Sequence, residues 1–221
     1  MSFDLLSKSA MLDALQHWPL LIGYVLGSIP FGLILVKAMG KGDIRETGSG
    51  NIGATNAVRA AGKGIGAIVL ALDVLKAVAA ILIARAYFPE GADIFAAFGA
   101  FVGHLYPVWL KFKGGKGVAT LFGILFALTW QLGAIALAVW LLAFLITRMS
   151  SAGGLLAAAS APIAAAVLGE TQYIPLLLGI TLLIWWKHRQ NVARILSGSE
   201  PRFGAKKADE EPGQDTPSTT L

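Results

Sequence analysis

Three stretches of this 221-residue chain combine glycine with Ser, Asn, Lys, Arg or His at spacings suited to holding anions. The first reads Gly40-Lys-Gly-Asp-Ile-Arg-Glu-Thr-Gly-Ser-Gly-Asn-Ile-Gly-Ala-Thr-Asn-Ala-Val-Arg59-Ala-Ala-Gly-Lys-Gly64. Seven of its 25 residues are glycine, well above the typical ~7%. Glycine lets backbone N–H groups turn inward as a nest, around Gly48 and Gly50 here, and Ser49, Asn51, Thr55, Asn56 and Arg59 can complete a phosphate or carboxylate cradle. A mere connector would favour Ser, Glu and Lys over this density of Gly, Asn and Thr. The second stretch, Lys111-Phe-Lys-Gly-Gly-Lys-Gly-Val-Ala-Thr120, opens a helix. Free N–H groups and the helix dipole there both favour negative charge beside Gly114, Gly115, Lys116 and Gly117. It is not a Walker A loop: the glycine spacing differs and no Ser or Thr follows Lys116, which argues against ATP. The third stretch, Lys187-His-Arg-Gln-Asn-Val-Ala-Arg-Ile-Leu-Ser-Gly-Ser-Glu200, spaces His188, Asn191 and Arg194 three apart, so a helix puts them on one face. Spacing alone leaves His188 open as a proton carrier, a phosphate donor or a plain interfacial residue.

The elements that must position these stretches are apolar. Hydrophobic residues make up 56% of the chain and charged ones only 14%, where a soluble domain carries about 25%. Apolar runs recur almost end to end, and a bilayer solvates so many faces where a soluble core could not. The fold class expected is an all-α membrane protein. Its clear spans are Trp18–Met39, Ile65–Phe88 and Ala92–Leu110. The run Val118–Thr147 would reach ~45 Å as one helix, too long for a ~30 Å hydrocarbon core. It is read as two short helices breaking near Trp130-Gln131-Leu132-Gly133. Ala152–Trp186 is likewise two, broken at Gly169-Glu170-Thr171-Gln172. About seven transmembrane helices result; a five-span alternative leaves both ends on the same sides and misplaces Arg148 alone.

Orientation follows from the basic residues. Of the 18 Lys and Arg, Lys8 and Arg85 fall on one side, Lys76 lies inside a span, and the rest lie on the other. The positive-inside rule therefore puts the N-terminus outside and the C-terminus in the cytoplasm. All three glycine-bearing stretches share the basic side. The net charge of +5 is thus a matter of topology and not of nucleic-acid binding. Residues 1–203 read as a single integral-membrane domain, and 204–221, rich in Pro, Thr, Lys, Asp and Glu, as a disordered cytoplasmic tail. The N-terminus does not resemble a cleaved signal peptide. With no Cys, disulfides, thiolate metal sites and a Cys nucleophile are excluded. The His and Asp residues are scattered, so no metal site or cofactor is expected.

Some ionisable residues fall inside the spans. Asp73 and Lys76, three apart, are expected to form a mutual ion pair facing the bundle interior. His104, before Tyr106-Pro107, and the interruption at Gly27-Ser-Ile-Pro-Phe-Gly32 are read as packing features.

Taken in order, Gly27-Ser-Ile-Pro-Phe-Gly32, Gly48-Ser-Gly-Asn-Ile-Gly-Ala-Thr-Asn56 with Arg59, Gly103-His-Leu-Tyr-Pro107 through Thr120, and His188-Arg-Gln-Asn191 through Arg194 and Gly198-Ser-Glu200 closely resemble the bacterial acyl-phosphate:glycerol-3-phosphate acyltransferases. The resemblance covers about residues 20 to 200. It implies an inner-membrane enzyme, working at the cytoplasmic face, that acylates the 1-hydroxyl of glycerol-3-phosphate from a long-chain acyl-phosphate. It implies essential roles for Ser49 and Arg59, a glycerol-3-phosphate loop at Gly114, Gly115, Lys116 and Gly117, important His188 and Asn191, and a structural Glu200. A polar position after the fifth helix falls on Ser150 or Ser151. The general base stays open between His188 and a substrate phosphate. Glycerol-3-phosphate, acyl-phosphate and membrane lipid are the partners implied, with no nucleic acid and no obligatory protein partner evident. Another acyltransferase class needs Asp five residues after His; here those positions hold Ile22, Trp109 and Ala193. The rival reading is an organic-anion or phosphate transporter, which usually shows two internal repeats and midplane sites. Neither is visible. A purely structural protein leaves the glycine-rich motifs unexplained.

Overall fold

The computed structural model describes residues 17–204, and every regular element in it is helical. The first sixteen residues and all of the expected tail except Gly204 lie outside the described residues. Helix α1 (17–27) and helix α2 (Phe31–Ala38) form one apolar span interrupted at Ser28–Pro30. Helix α3 (Ala54–Ala61) lies within the first basic stretch. Helices α4 (Lys63–Tyr87), α5 (Ala92–Leu105), α6 (Val118–Leu128), α7 (Trp130–Thr147), α8 (Ser150–Val167), α9 (Ile174–Lys187) and α10 (Arg189–Leu196) follow.

Among the described residues, five segments are long and apolar enough to cross a membrane: His17–Ala38, Lys63–Tyr87, Ala92–Leu110, Trp130–Thr147 and Ser150–Val167. The two remaining expected spans are shorter, with 11 residues in α6 and 14 in α9. Both long apolar runs break close to the positions expected, at Thr129 and between Leu168 and Tyr173. Arg85 explains how α6 can stop so early. Its guanidinium donates to Ala127 O (2.5 Å) and Leu128 O (3.1 Å) and pairs with Asp93 (2.8 Å). Carbonyls at a helix C-terminus have no partner within the helix, and a cation supplies one. Helix α5 ends at Leu105 because Pro107 has no N–H to continue the ladder.

Helix packing relies on small residues, as expected where lipid removes the hydrophobic drive between helices. Gly23 and Gly27 of α1 meet Ala96 and Ala100 of α5, where a Cβ on Gly27 would lie 2.0 Å from Ala100 O. The centre is filled by alanines of α4, α5 and α8 with Phe101, Leu121, Ile124, Leu125, Leu177 and Ile180. Large apolar side chains such as Leu82, Leu142, Ile146, Val167 and Leu182 face outward, where a bilayer would solvate them. The chain alternates, so the C-terminal ends of α5 and α9 and the N-terminal ends of α6 and α8 gather at one end, joined by the contacts described next. Arg85 and Asp93 mark the opposite end.

Candidate active site

The first loop is built around Asn56. This buried side chain donates from Nδ2 to Ile44 O (2.9 Å), Thr47 O (2.9 Å) and Asn51 O (2.8 Å), while its Oδ1 accepts from Ser49 N (3.1 Å). Asn51 Oδ1 in turn accepts from Gly53 N (3.2 Å). The polar atoms of Asn56, one of the expected substrate-site residues, shape the loop in this structure. The loop presents Ser49 outward beside Gly48, whose φ of +57° suits glycine, and a Cβ there would lie 2.5 Å from Asn56 Oδ1. Gly50 also adopts positive φ. Alanine-rich α3 was not anticipated. It follows its N-cap Gly53 and carries Thr55, Asn56 and the exposed Arg59.

The second loop runs back over the end of α5. Gly114 N donates to Leu105 O (3.1 Å) and Gly115 N to His104 O (3.0 Å). Gly117, with φ +88°, turns the chain into α6. These bonds leave half-buried Lys116 with its Nζ 2.5 Å from Asn191 Oδ1, across 75 residues of sequence. Asn191 passes the contact on: its Nδ2 donates to Glu200 Oε1 (2.7 Å). The same oxygen accepts from Ser151 Oγ (2.6 Å), and Oε2 pairs with Arg194 Nε (2.7 Å). Ser150, one residue earlier, contacts Thr55 Oγ1 at 3.2 Å and so bridges the first loop to the start of α8. The two serines left open by the sequence therefore have different partners.

His188 caps the end of α9, buried, with Nδ1 2.8 Å from Ile184 O. A carbonyl only accepts, so Nδ1 carries the proton and Nε2 keeps a lone pair. Burial is the main influence that lowers His188 to about 4, aided by Lys116 and opposed by the Ile184 bond and Glu200. Lys116 falls to about 8, first through burial and then through Arg194, Arg59 and Lys187, with Glu200 opposing. Burial raises Glu200, but bonds from Ser151, Asn191 and Arg194 outweigh it and hold the carboxyl below its ordinary value.

Residues from all three loops thus act on one lysine. Ser49, Gly48 and Gly50 stand on the rim, and Arg59 makes no side-chain hydrogen bond or ion pair among the described residues. Two features escaped sequence reasoning. Lys187 donates to Leu105 O (3.2 Å) with its Nζ over the Tyr106 ring (4.7 Å). Thr120 Oγ1, in the first turn of α6, is buried without a hydrogen-bond partner. Its place three residues after Gly117 was the available signal.

Fold and site together define a polytopic helical membrane protein in which three glycine-bearing, basic segments meet at one end of the helices. The family model for glycerol-3-phosphate acyltransferase matches residues 18–198. The glycerol-3-phosphate acyltransferase of Mesorhizobium japonicum is 50% identical over 187 residues, covering 85% of this chain and 95% of the relative. That of Brucella ovis is 47% identical over 201 residues, covering 91% of this chain and all of the relative. Among solved structures, the glycerol 3-phosphate form of PlsY, an integral membrane glycerol 3-phosphate acyltransferase, superposes with a TM-score of 0.81 at 39% identity. That match covers 86% of this chain and 96% of the other. The chain belongs to the glycerol-3-phosphate acyltransferase family of integral membrane enzymes.

Proposed function

We propose that this enzyme transfers a fatty acyl group from a long-chain acyl-phosphate to the 1-hydroxyl of glycerol-3-phosphate, yielding lysophosphatidic acid and inorganic phosphate for phospholipid biosynthesis. One observation carries the reading. Lys116, half-buried and 2.5 Å from Asn191 Oδ1, has three positive side chains acting on it, Arg194, Arg59 and Lys187, with Glu200 opposing them. Like charges gathered this way repel unless anions arrive from outside the chain, and two phosphorylated substrates supply them. Relatives solved in glycerol 3-phosphate and lysophosphatidic acid forms support the same substrate and product.

In the proposed reaction the glycerol hydroxyl oxygen attacks the acyl carbonyl carbon. A new ester C–O bond forms, the C–O bond to phosphate breaks, and phosphate leaves with the bonding pair. Acyl-phosphate is a mixed anhydride with a good leaving group, so no covalent enzyme intermediate is required. Lys116 and Arg59 hold the two phosphates side by side and stabilise the developing oxyanion, while the Gly114 and Gly115 N–H groups, already donated to the end of α5, fix the loop that carries Lys116. Ser49 contributes a hydroxyl at the rim. His188, with its Nδ1 held by Ile184 O and a lone pair on Nε2, accepts from and orients the attacking hydroxyl, and the hydroxyl proton passes to the departing phosphate. Asn191 keeps Lys116 directed, Glu200 secures Asn191, and Gly114, Gly115 and Gly117 form the glycerol-3-phosphate loop. The acyl chain remains between helices, open to lipid.

The proposed topology has seven crossings, including the short α6 and α9, in the inner membrane of a bacterium. The N-terminus is outside and the site faces the cytoplasm, in keeping with the distribution of basic residues. The deciding experiment incubates detergent-purified protein with labelled glycerol-3-phosphate and palmitoyl-phosphate and assays for lysophosphatidic acid. Product from palmitoyl-CoA but not palmitoyl-phosphate overturns the donor. Uptake into proteoliposomes without product restores the transporter reading.

A further inference from the structure

Three ionisable side chains lie together beneath the glycine loop, outside the site just described. Asp73, Lys76 and His104 are only 3%, 5% and 4% exposed. The Lys76 ammonium uses its three protons on Asp73 Oδ1 (2.7 Å), His104 Nδ1 (2.9 Å) and Ile29 O (3.2 Å). The sequence anticipated the Asp73–Lys76 pair but not its third member, which it assigned to packing. A buried charge pair is expensive in a membrane helix, and mutual neutralisation does not require an imidazole.

The imidazole's position suggests its task. Lysine only donates, so His104 Nδ1 accepts and the ring proton sits on Nε2. The Nε2 edge faces the Gly115 backbone, where a Cβ would lie 2.1 Å from Nε2. His104 O accepts from Gly115 N (3.0 Å), so both backbone and ring of one residue support the loop. The next residue is Lys116. On its far side, Lys76 also donates to the Ile29 carbonyl beside the Pro30 break, which Phe31 N shares, tying α1–α2 to the same support.

We propose that Asp73, Lys76 and His104 are positioning residues that hold the Gly114–Lys116 loop in its glycerol-3-phosphate-binding geometry. This inference rests on the acyltransferase reading above. Lys76 sets the His104 tautomer and rotamer, Asp73 holds Lys76, and the ring forms the floor of the loop. The expected signature is a KM effect for one substrate: displacement of a binding group by about 1 Å costs up to ~100-fold.

The test uses purified full-length protein and varies glycerol-3-phosphate against fixed palmitoyl-phosphate, then the reverse. Asp73→Asn combined with Lys76→Met removes both charges at similar volume, a change that buried pairs often tolerate. It should raise KM for glycerol-3-phosphate about tenfold or more, lower kcat less than about threefold, and leave KM for palmitoyl-phosphate unchanged. Gly115→Ala should raise the same KM, and adding His104→Ala should recover part of that loss by opening the space the new methyl needs. Such non-additivity is expected only of residues in contact. An unchanged glycerol-3-phosphate KM in the charge-free pair overturns the proposal, as does strict additivity at His104 and Gly115. If either histidine or glycine variant fails to fold, the charge-free pair decides alone; should that pair fail to fold, His104→Asn, which keeps an acceptor for Lys76 but removes the ring, must show the same KM split. Wild-type protein that forms no lysophosphatidic acid overturns the acyltransferase reading instead.

Discussion

Lys116 concentrates the electrostatics of the site. Burial above all lowers it to about 8, so the charge proposed to hold an anionic substrate is present below that pH and lost above it. The kcat/KM for glycerol-3-phosphate should therefore fall on the alkaline side with a midpoint near 8, and Lys116→Arg, if active, should lose that limb because guanidinium stays charged. His188 leads to the opposite expectation. Because it is lowered to about 4, it does not titrate between pH 5 and 8. Any acid limb near pH 6 should persist in His188→Gln, with the second ionisation of a phosphate as its source. Its disappearance would make His188 the base. Ser49→Ala, Arg59→Ala and Lys116→Ala should each reduce turnover by about 100-fold or more while the protein remains inserted. Wild-type-like rates in any two would undo these assignments.

At the level of elements, Glu200 is the joint. It connects the start of α8 through Ser151, α10 through Asn191 and Arg194, and, by way of Asn191, the lysine that precedes α6. Glu200→Gln keeps the shape but exchanges charge-assisted bonds for neutral ones, at a cost of about 2 kcal/mol. A lower melting temperature in detergent at pH 7 would register this. Its folded carboxyl lies below the ordinary 4.5, so the stabilisation is present above that value and declines as pH falls through the folded one. Wild type and variant should then converge in strongly acidic buffer. Arg85 offers a contrast, since it caps α6 and pairs with Asp93 at the end away from the loops. Arg85→Met should destabilise by about 1–3 kcal/mol yet leave the KM for glycerol-3-phosphate near wild type.

At the scale of the whole molecule, the absence of Cys makes topology directly testable. Single cysteines introduced by Ser49→Cys or Lys116→Cys should react with a membrane-impermeant thiol reagent only from the cytoplasmic side. Labelling from the opposite face would overturn the proposed orientation. The apolar helices, their breaks near Thr129 and Gly169, and the three glycine-bearing polar stretches were legible because each is local: apolar period, glycine density and basic bias occupy consecutive residues. Spacing also put His188, Asn191 and Arg194 on one helix face, yet it could not say what that face meets. Lys116 and Asn191 are 75 residues apart, Ser151 and Glu200 49, and Thr55 and Ser150 95. The loop-shaping bonds of Asn56 to Ile44, Thr47, Asn51 and Ser49 were likewise out of reach of the sequence, because they depend on how the loop folds back on itself. His104 looked like packing because its partner Lys76 lies on another helix. Local pattern fixes which way a side chain leaves its own helix; only the crossing of helices decides which atoms it reaches. The membrane class and the candidate chemistry were therefore set by the sequence itself, and the division of labour among the polar residues was decided by tertiary packing.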